Sequence, residues 1–177
     1  MSSPAAKLLV LAGNEFAAIR IIGRANLNSS VDFRMLVTEL GQKGYRYFIL
    51  DLSECVLMDS SFLGVLAGFG LKMSGDSAEK CRGTIELSNP NARILELIEN
   101  LGVLHLFTVT QGPIMVPEGT ESHAVSPCEP NRVELASACK EAHDLLMDLN
   151  PENVSKFKDV SQFMAEEIKK LKGPAER

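Results

Sequence analysis

The chain has 177 residues, 45% of them apolar and 23% charged, a length and mix that fit one globular unit with a real core and exclude a disordered chain. Its 18 Lys and Arg against 23 Asp and Glu leave a net charge of −5. No surplus of cations is left to neutralise phosphates, so neither a nucleic-acid binder nor a membrane-surface protein is expected.

The longest early apolar run, Leu8 to Ala12, is too short for a signal segment or a membrane span. The uncharged run Ser60 to Leu71 is also short, and Asp59 and Lys72 bracket it. A cytoplasmic protein is expected. Cys55, Cys81, Cys128 and Cys139 stand apart without a C-x-x-C pair. They read as reduced thiols in apolar positions, with no metal site and no cofactor.

In chain order, Lys7 to Leu11 and Phe16 to Ile22 are short apolar runs around the turn signal Gly13-Asn14-Glu15, which predicts a β-hairpin. Asn28 or Ser29 can cap a helix from about Val31 to Gln42, where Val31, Met35, Leu36 and Leu40 recur at helical spacing. Tyr47 to Leu52 reads as a buried strand, parallel to a neighbour. Asp59 or Ser60 then caps a helix whose Phe62, Val65, Leu66 and Phe69 form one stripe. Gly64 and Gly68 on it predict close approach of a neighbouring element, since they leave no side chain in the gap.

Ser74 to Arg82 reads as a loop and Thr84 to Leu87 as a strand. A helix runs from Asn89 or Asn91 through Leu101, with Gly102 closing it, and Leu106 to Val109 is a last strand. The order β-β-α-β-α-β-α-β predicts an α/β fold, a mixed sheet packed against helices, that closes near Met115.

Residues 116–130 read as a linker rich in Pro, Glu, Ser and Gly. Two helical patterns follow within 131–177. Leu135, Ala138, Ala142, Leu145 and Leu149 mark the first; Val154, Phe157, Val160, Met164, Ile168 and Leu171 mark the second. Asn150-Pro151 supplies a cap and a first-turn proline between them. This is an αα-hairpin extension, whose apolar face must bury against the first module, a second copy or a partner.

Enzyme motifs are largely missing: there is no phosphate-binding glycine loop, no G-x-S-x-G and no H-E-x-x-H. His105, His123 and His143 are scattered and read as surface or loop residues. Asp51 and Asp59 fit a pair of working carboxylates, and they fit plain turn and capping roles as well. Asp59-Ser60-Ser61 is the informative string. It lies at a helix N-terminus, where free N–H groups and the dipole favour negative charge. A phosphate on such a serine adds about −1.5 to −2 charge and three acceptor oxygens. Capping alone also accounts for the same residues and is the commoner use.

The stretch from Tyr47 to Leu66, YFILDLSECVLMDSSFLGVL, resembles the signature of the STAS domain, and in particular of bacterial anti-sigma-factor antagonists. The likeness runs in order and spacing over about residues 5–112 and includes the turn Ser88-Asn89-Pro90. It implies a protein that is not an enzyme and works by partner exchange. Unphosphorylated, such a protein binds an anti-sigma factor, a serine protein kinase with the ATPase fold of histidine kinases, and so frees a sigma factor. Phosphorylation breaks the complex, and a serine phosphatase resets it.

The resemblance assigns the phosphoacceptor to Ser61, with Ser60 as second choice. It places Asp51, Asp59, Ser60, Ser61, Phe62 and Asn28 at the partner surface. Two of these depart from the family pattern. Phe62 stands where a glycine is common, either crowding the helix start or offering a partner an apolar contact, and Asn28 replaces an aspartate. The hairpin lies outside the likeness. It leaves room for a homodimer, for a STAS scaffold or oligomerisation subunit of a signalling assembly, and for a STAS subunit docked on a membrane transporter.

Overall fold

The computed structural model describes residues 4–74, 82–116 and 120–173. Among the described residues, seven strands and five helices run β1 (Lys7–Ala12), β2 (Ala17–Ala25), α1 (Leu27–Gln42), β3 (Tyr47–Asp51), β4 (Cys55–Met58), α2 (Ser60–Met73), β5 (Thr84–Ser88), α3 (Ala92–Asn100), β6 (Thr108–Thr110), β7 (Ser122–Ala124), α4 (Arg132–Leu149) and α5 (Val154–Lys172). Short 3-10 turns precede β6 at Leu104–Leu106 and α5 at Pro151–Asn153. The expected loop Ser74–Arg82 lies, over residues 75–81, outside the described residues.

The sheet order is β6-β5-β3-β2-β1-β7, with β4 pairing on β2. β1 meets β2 and β7 antiparallel, while β2–β3, β2–β4, β3–β5 and β5–β6 are parallel. This is the mixed sheet that the alternation of strands and helices predicts. Phe48, Leu50, Ile85 and Leu87 are buried on the parallel strands, as near-continuous apolar runs require.

The apolar stripes of α1 and α2 close the core. Phe33 from α1 lies 5.1 Å from Phe62 between ring centroids, and Phe69 stacks edge-on against Phe48 at 4.8 Å. Such tilted and edge-to-face pairs add to what burial alone supplies. Phe62 is therefore a core residue, fully buried. The position is filled from inside, and Phe62 presents no apolar contact to a partner.

Two local expectations are corrected. The cap of α1 is Asn26, not Asn28 or Ser29: Asn26 Oδ1 accepts from the Ser29 amide while Ser29 Oγ accepts from the Asn26 amide. That reciprocal capping box satisfies two orphan donors at once, which a cap at position 28 could not. The stretch read as linker also contains a strand, β7, which pairs along β1 and continues in a bond from the Val125 amide to the Leu8 carbonyl.

The C-terminal hairpin packs on its own domain. α5 lies against α4, and α4 lies across α2 and touches α1. Leu146 is fully buried within the main core. At the turn, Asn153 Nδ2 donates to the carbonyls of Leu101 and Leu146 at 3.0 and 2.8 Å.

Candidate functional site

Two helix N-termini lie side by side. The Asp59 amide donates to the Ala25 carbonyl at 2.9 Å, which sets the start of α2 beside the start of α1. Asp59 caps α2 through a 2.8 Å bond from the Phe62 amide. Burial pushes its carboxyl up, against the pull of the amides of Phe62, Leu27 and Ser61 and of His143. Asn28 is exposed in the first turn of α1, on the same edge.

Asp51 is elsewhere, at the end of β3. Arg20 Nε donates to its Oδ2 at 2.8 Å, and the Ser53 hydroxyl and amide donate to its Oδ1. Burial opposes its charge, but these donors together hold the carboxyl below its ordinary range. Asp51 and Asp59 are thus taken by different partners. The structure does not join them as a working carboxylate pair, and the plain turn and capping roles are what it displays.

The serine pair opens α2. Ser60 is partly exposed and Ser61 is 7% exposed. Both hydroxyls face α4. Ser60 Oγ lies 2.8 Å from His143 Nε2, and Ser61 Oγ lies 3.8 Å from Cys139 Sγ. His143 Nδ1 is 2.7 Å from the Cys139 carbonyl oxygen. A carbonyl can only accept, so Nδ1 carries a proton; in the neutral ring Nε2 then accepts from the Ser60 hydroxyl, and in the charged ring it donates to it. Burial also pushes the Cys139 thiol up, keeping it protonated.

Below the serines, the small residues do what their spacing predicts. A Cβ at Gly64 would meet the Ala142 carbonyl oxygen at 2.5 Å, and one at Gly68 would meet Leu145 Cδ2 at 3.0 Å. The element in close approach is α4.

His143 is the correction among the histidines: it is 4% exposed, neither a surface nor a loop residue. Its signal was its place four residues after Cys139 and next to Ala142, on the face of α4 that carries the apolar stripe. Among the described residues, no group of three or more His, Cys, Asp or Glu side chains is placed to hold a metal ion. No helix among them is long and apolar enough to cross a membrane.

The class is an α/β fold, a mixed sheet with a capped Asp-Ser-Ser helix start on one of the helices packed against it. The STAS domain family model matches residues 10–113, and this chain belongs to that family. Three solved structures are similar to the chain. One is the anti-sigma factor antagonist SpoIIAA in its unphosphorylated form, at 17% identity and TM-score 0.48, with 61% of this chain and 89% of that one covered. A second is a Thermotoga maritima protein assigned as an anti-sigma factor antagonist, at 19% identity and TM-score 0.50, covering 57% and 83%. A third is an anti-sigma factor antagonist from Mycobacterium paratuberculosis, at 15% identity and TM-score 0.50, covering 62% and 90%. No curated protein matches the chain by sequence. The family match ends before α4 and α5, so His143 and Cys139 come to the serines from outside it.

Proposed function

We propose that this chain is an anti-sigma-factor antagonist that acts by partner switching in the cytoplasm. Residues 1–115 form the STAS module, 116–130 the connector and 131–177 the helical extension. In the unphosphorylated form the edge made by Asn28, Asp59, Ser60 and Ser61 binds an anti-sigma factor that is also a serine kinase, and a sigma factor is released. The kinase moves the γ-phosphoryl group of ATP onto Ser61 Oγ. The hydroxyl proton passes to a base on the kinase, and ADP leaves. A phosphatase returns the serine by hydrolysis.

The observation that carries this reading is the Asp-Ser-Ser start of α2 set beside the start of α1 in a STAS fold. A dianionic phosphate there adds charge next to Asp59 and would change the surface that a partner meets at the two helix starts. The chain itself catalyses nothing in this account; its output is a binding equilibrium.

The test is intact mass after incubation with ATP and extract of the host, with fragmentation to locate the phosphate. One phosphate on Ser61, lost in Ser61→Ala, is the expected result. Phosphate on neither Ser60 nor Ser61, in an extract that phosphorylates a control substrate, would remove the switch. A second reading, a STAS scaffold subunit that needs no phosphate, is favoured by one observation: the Ser61 hydroxyl is buried against α4.

A further inference from the structure

Ser61 is covered by this chain itself and the Ser60 hydroxyl is tied to the same helix, and we infer that the α4–α5 hairpin is a built-in cover that must leave α2 before Ser61 can be modified or the serine face bound. The inference rests on the partner-switching reading and adds its regulation. Each serine is latched by one side chain of α4, Ser60 by His143 and Ser61 by Cys139. One turn on, Ala142 sits in the space that Gly64 leaves open. A kinase needs its acceptor hydroxyl in line with a phosphoryl group. With Ser61 Oγ turned into a helix interface, no such approach exists.

The hairpin is packed closely on α2, but it is held loosely on the α1 side. Between α4, α1 and α2 runs an open groove of about 580 Å³, bordered by Val37, Val65, Phe69 and Leu145 and by the charged Arg34 and Glu141. Along this groove α4 is not packed against α1, so parting there uncovers little new apolar surface. On α1 the direct tie is Arg34 to Glu141 at 2.8 Å, with both side chains more than half exposed, and such a pair contributes little. The latches are hydrogen bonds that water replaces on opening, so their net worth is small. Asn153 Oδ1, at the turn of the hairpin, is buried with no hydrogen-bond partner among the described residues, a further cost of the docked state.

The experiment uses the full chain and two variants on α4, outside the serine motif. Ala142→Glu places a carboxylate against Gly64 and forces α4 off. His143→Ala removes the Ser60 latch, together with the His143 contacts to Cys139 and to the Phe157 ring on α5, and leaves Ala142 seated against Gly64. Two rates are read on each protein: alkylation of Cys139 by iodoacetamide, resolved by peptide mass, and phosphate incorporation at Ser60 and Ser61 from ATP and host extract. Both rates are expected to rise together, by about tenfold or more in Ala142→Glu and by less in His143→Ala, as local opening becomes more populated.

Phosphate incorporated at the same measurable rate in all three proteins, or a wild-type Cys139 that alkylates as fast as in Ala142→Glu, would overturn the cover. Should Ala142→Glu fail to fold, His143→Ala decides by the same two rates. Faster Cys139 alkylation with no phosphate in any of the proteins keeps α4 as a cover and removes partner switching, so the two ideas fail separately.

Discussion

Asp51 shows how a single side chain ties the fold to pH. Arg20 and Ser53 hold its carboxyl below the ordinary range. The unfolded chain lacks these partners, so it takes up the proton first as pH falls. The stabilisation is therefore complete above the ordinary carboxylate pKa, near 4, and is lost as pH falls through the lower folded value. Asp51→Asn is expected to cost about 1–3 kcal/mol at pH 7. In urea unfolding the gap to wild type should shrink towards pH 3; a gap independent of pH would contradict this role. The capping role of Asp59 was legible because a cap followed by an apolar stripe is local chemistry. The latches His143 and Cys139 were not. Their meaning depends on which face of α2 receives α4, and no spacing within either helix encodes that.

At the level of elements, the two glycines of α2 predict different outcomes for the same change. Gly64→Ala drives a methyl into backbone of α4, and helix backbone cannot give way alone; a loss of about 1–3 kcal/mol is expected. Gly68→Ala meets only the end of the Leu145 side chain, which can turn aside. There the gain in helix propensity, up to about 1 kcal/mol, offsets the crowding. Urea midpoints of the two variants should differ in that order, and equal midpoints would show that α4 does not bear on Gly64. The long elements were readable in the sequence because burial gave them periodicity: the apolar run of β3, the stripes of α2 and α4. β4 and β7 were not. Cys55–Met58 is short, with its two middle residues exposed, and Ser122–Ala124 is exposed throughout. Such strands exist because β2 and β1 offer free edges, a tertiary fact with no local pattern.

For the molecule as a whole, the aromatic cluster is where α1 and α2 and the sheet become one body. Phe33 touches Phe62 and Phe69, and Phe69 touches Phe48. Phe33→Ala is expected to cost about 3–5 kcal/mol, seen as a lower thermal midpoint for domain and hairpin signals alike. A loss confined to the hairpin would mean that α1 is not the shared support. The fold class was legible because alternating strands and helices admit few arrangements. The destination of the hairpin was not: an amphipathic pair of helices fits its own domain, a second copy or a partner equally well, and the choice was made by the gap at Gly64.

The connector has a bearing on this cover that its length alone would hide. It is pinned to β1 through β7 and Val125, and again to α1, where the Cys128 amide donates to Asp32 Oδ1 at 2.8 Å. Only residues 129–131 then remain as a leash before α4. A flexible leash of that length spans roughly 10 Å, so a detached α4 stays at an effective local concentration in the millimolar range or above. A rival for the serine face competes against a tethered ligand, not against empty solvent. An external partner with micromolar intrinsic affinity, present at micromolar levels, would lose that contest unless the docked state of α4 is itself weak. The short leash thus sets the threshold of the switch: lengthening it with glycine and serine, with no contact altered, would lower the partner concentration needed to turn the protein on.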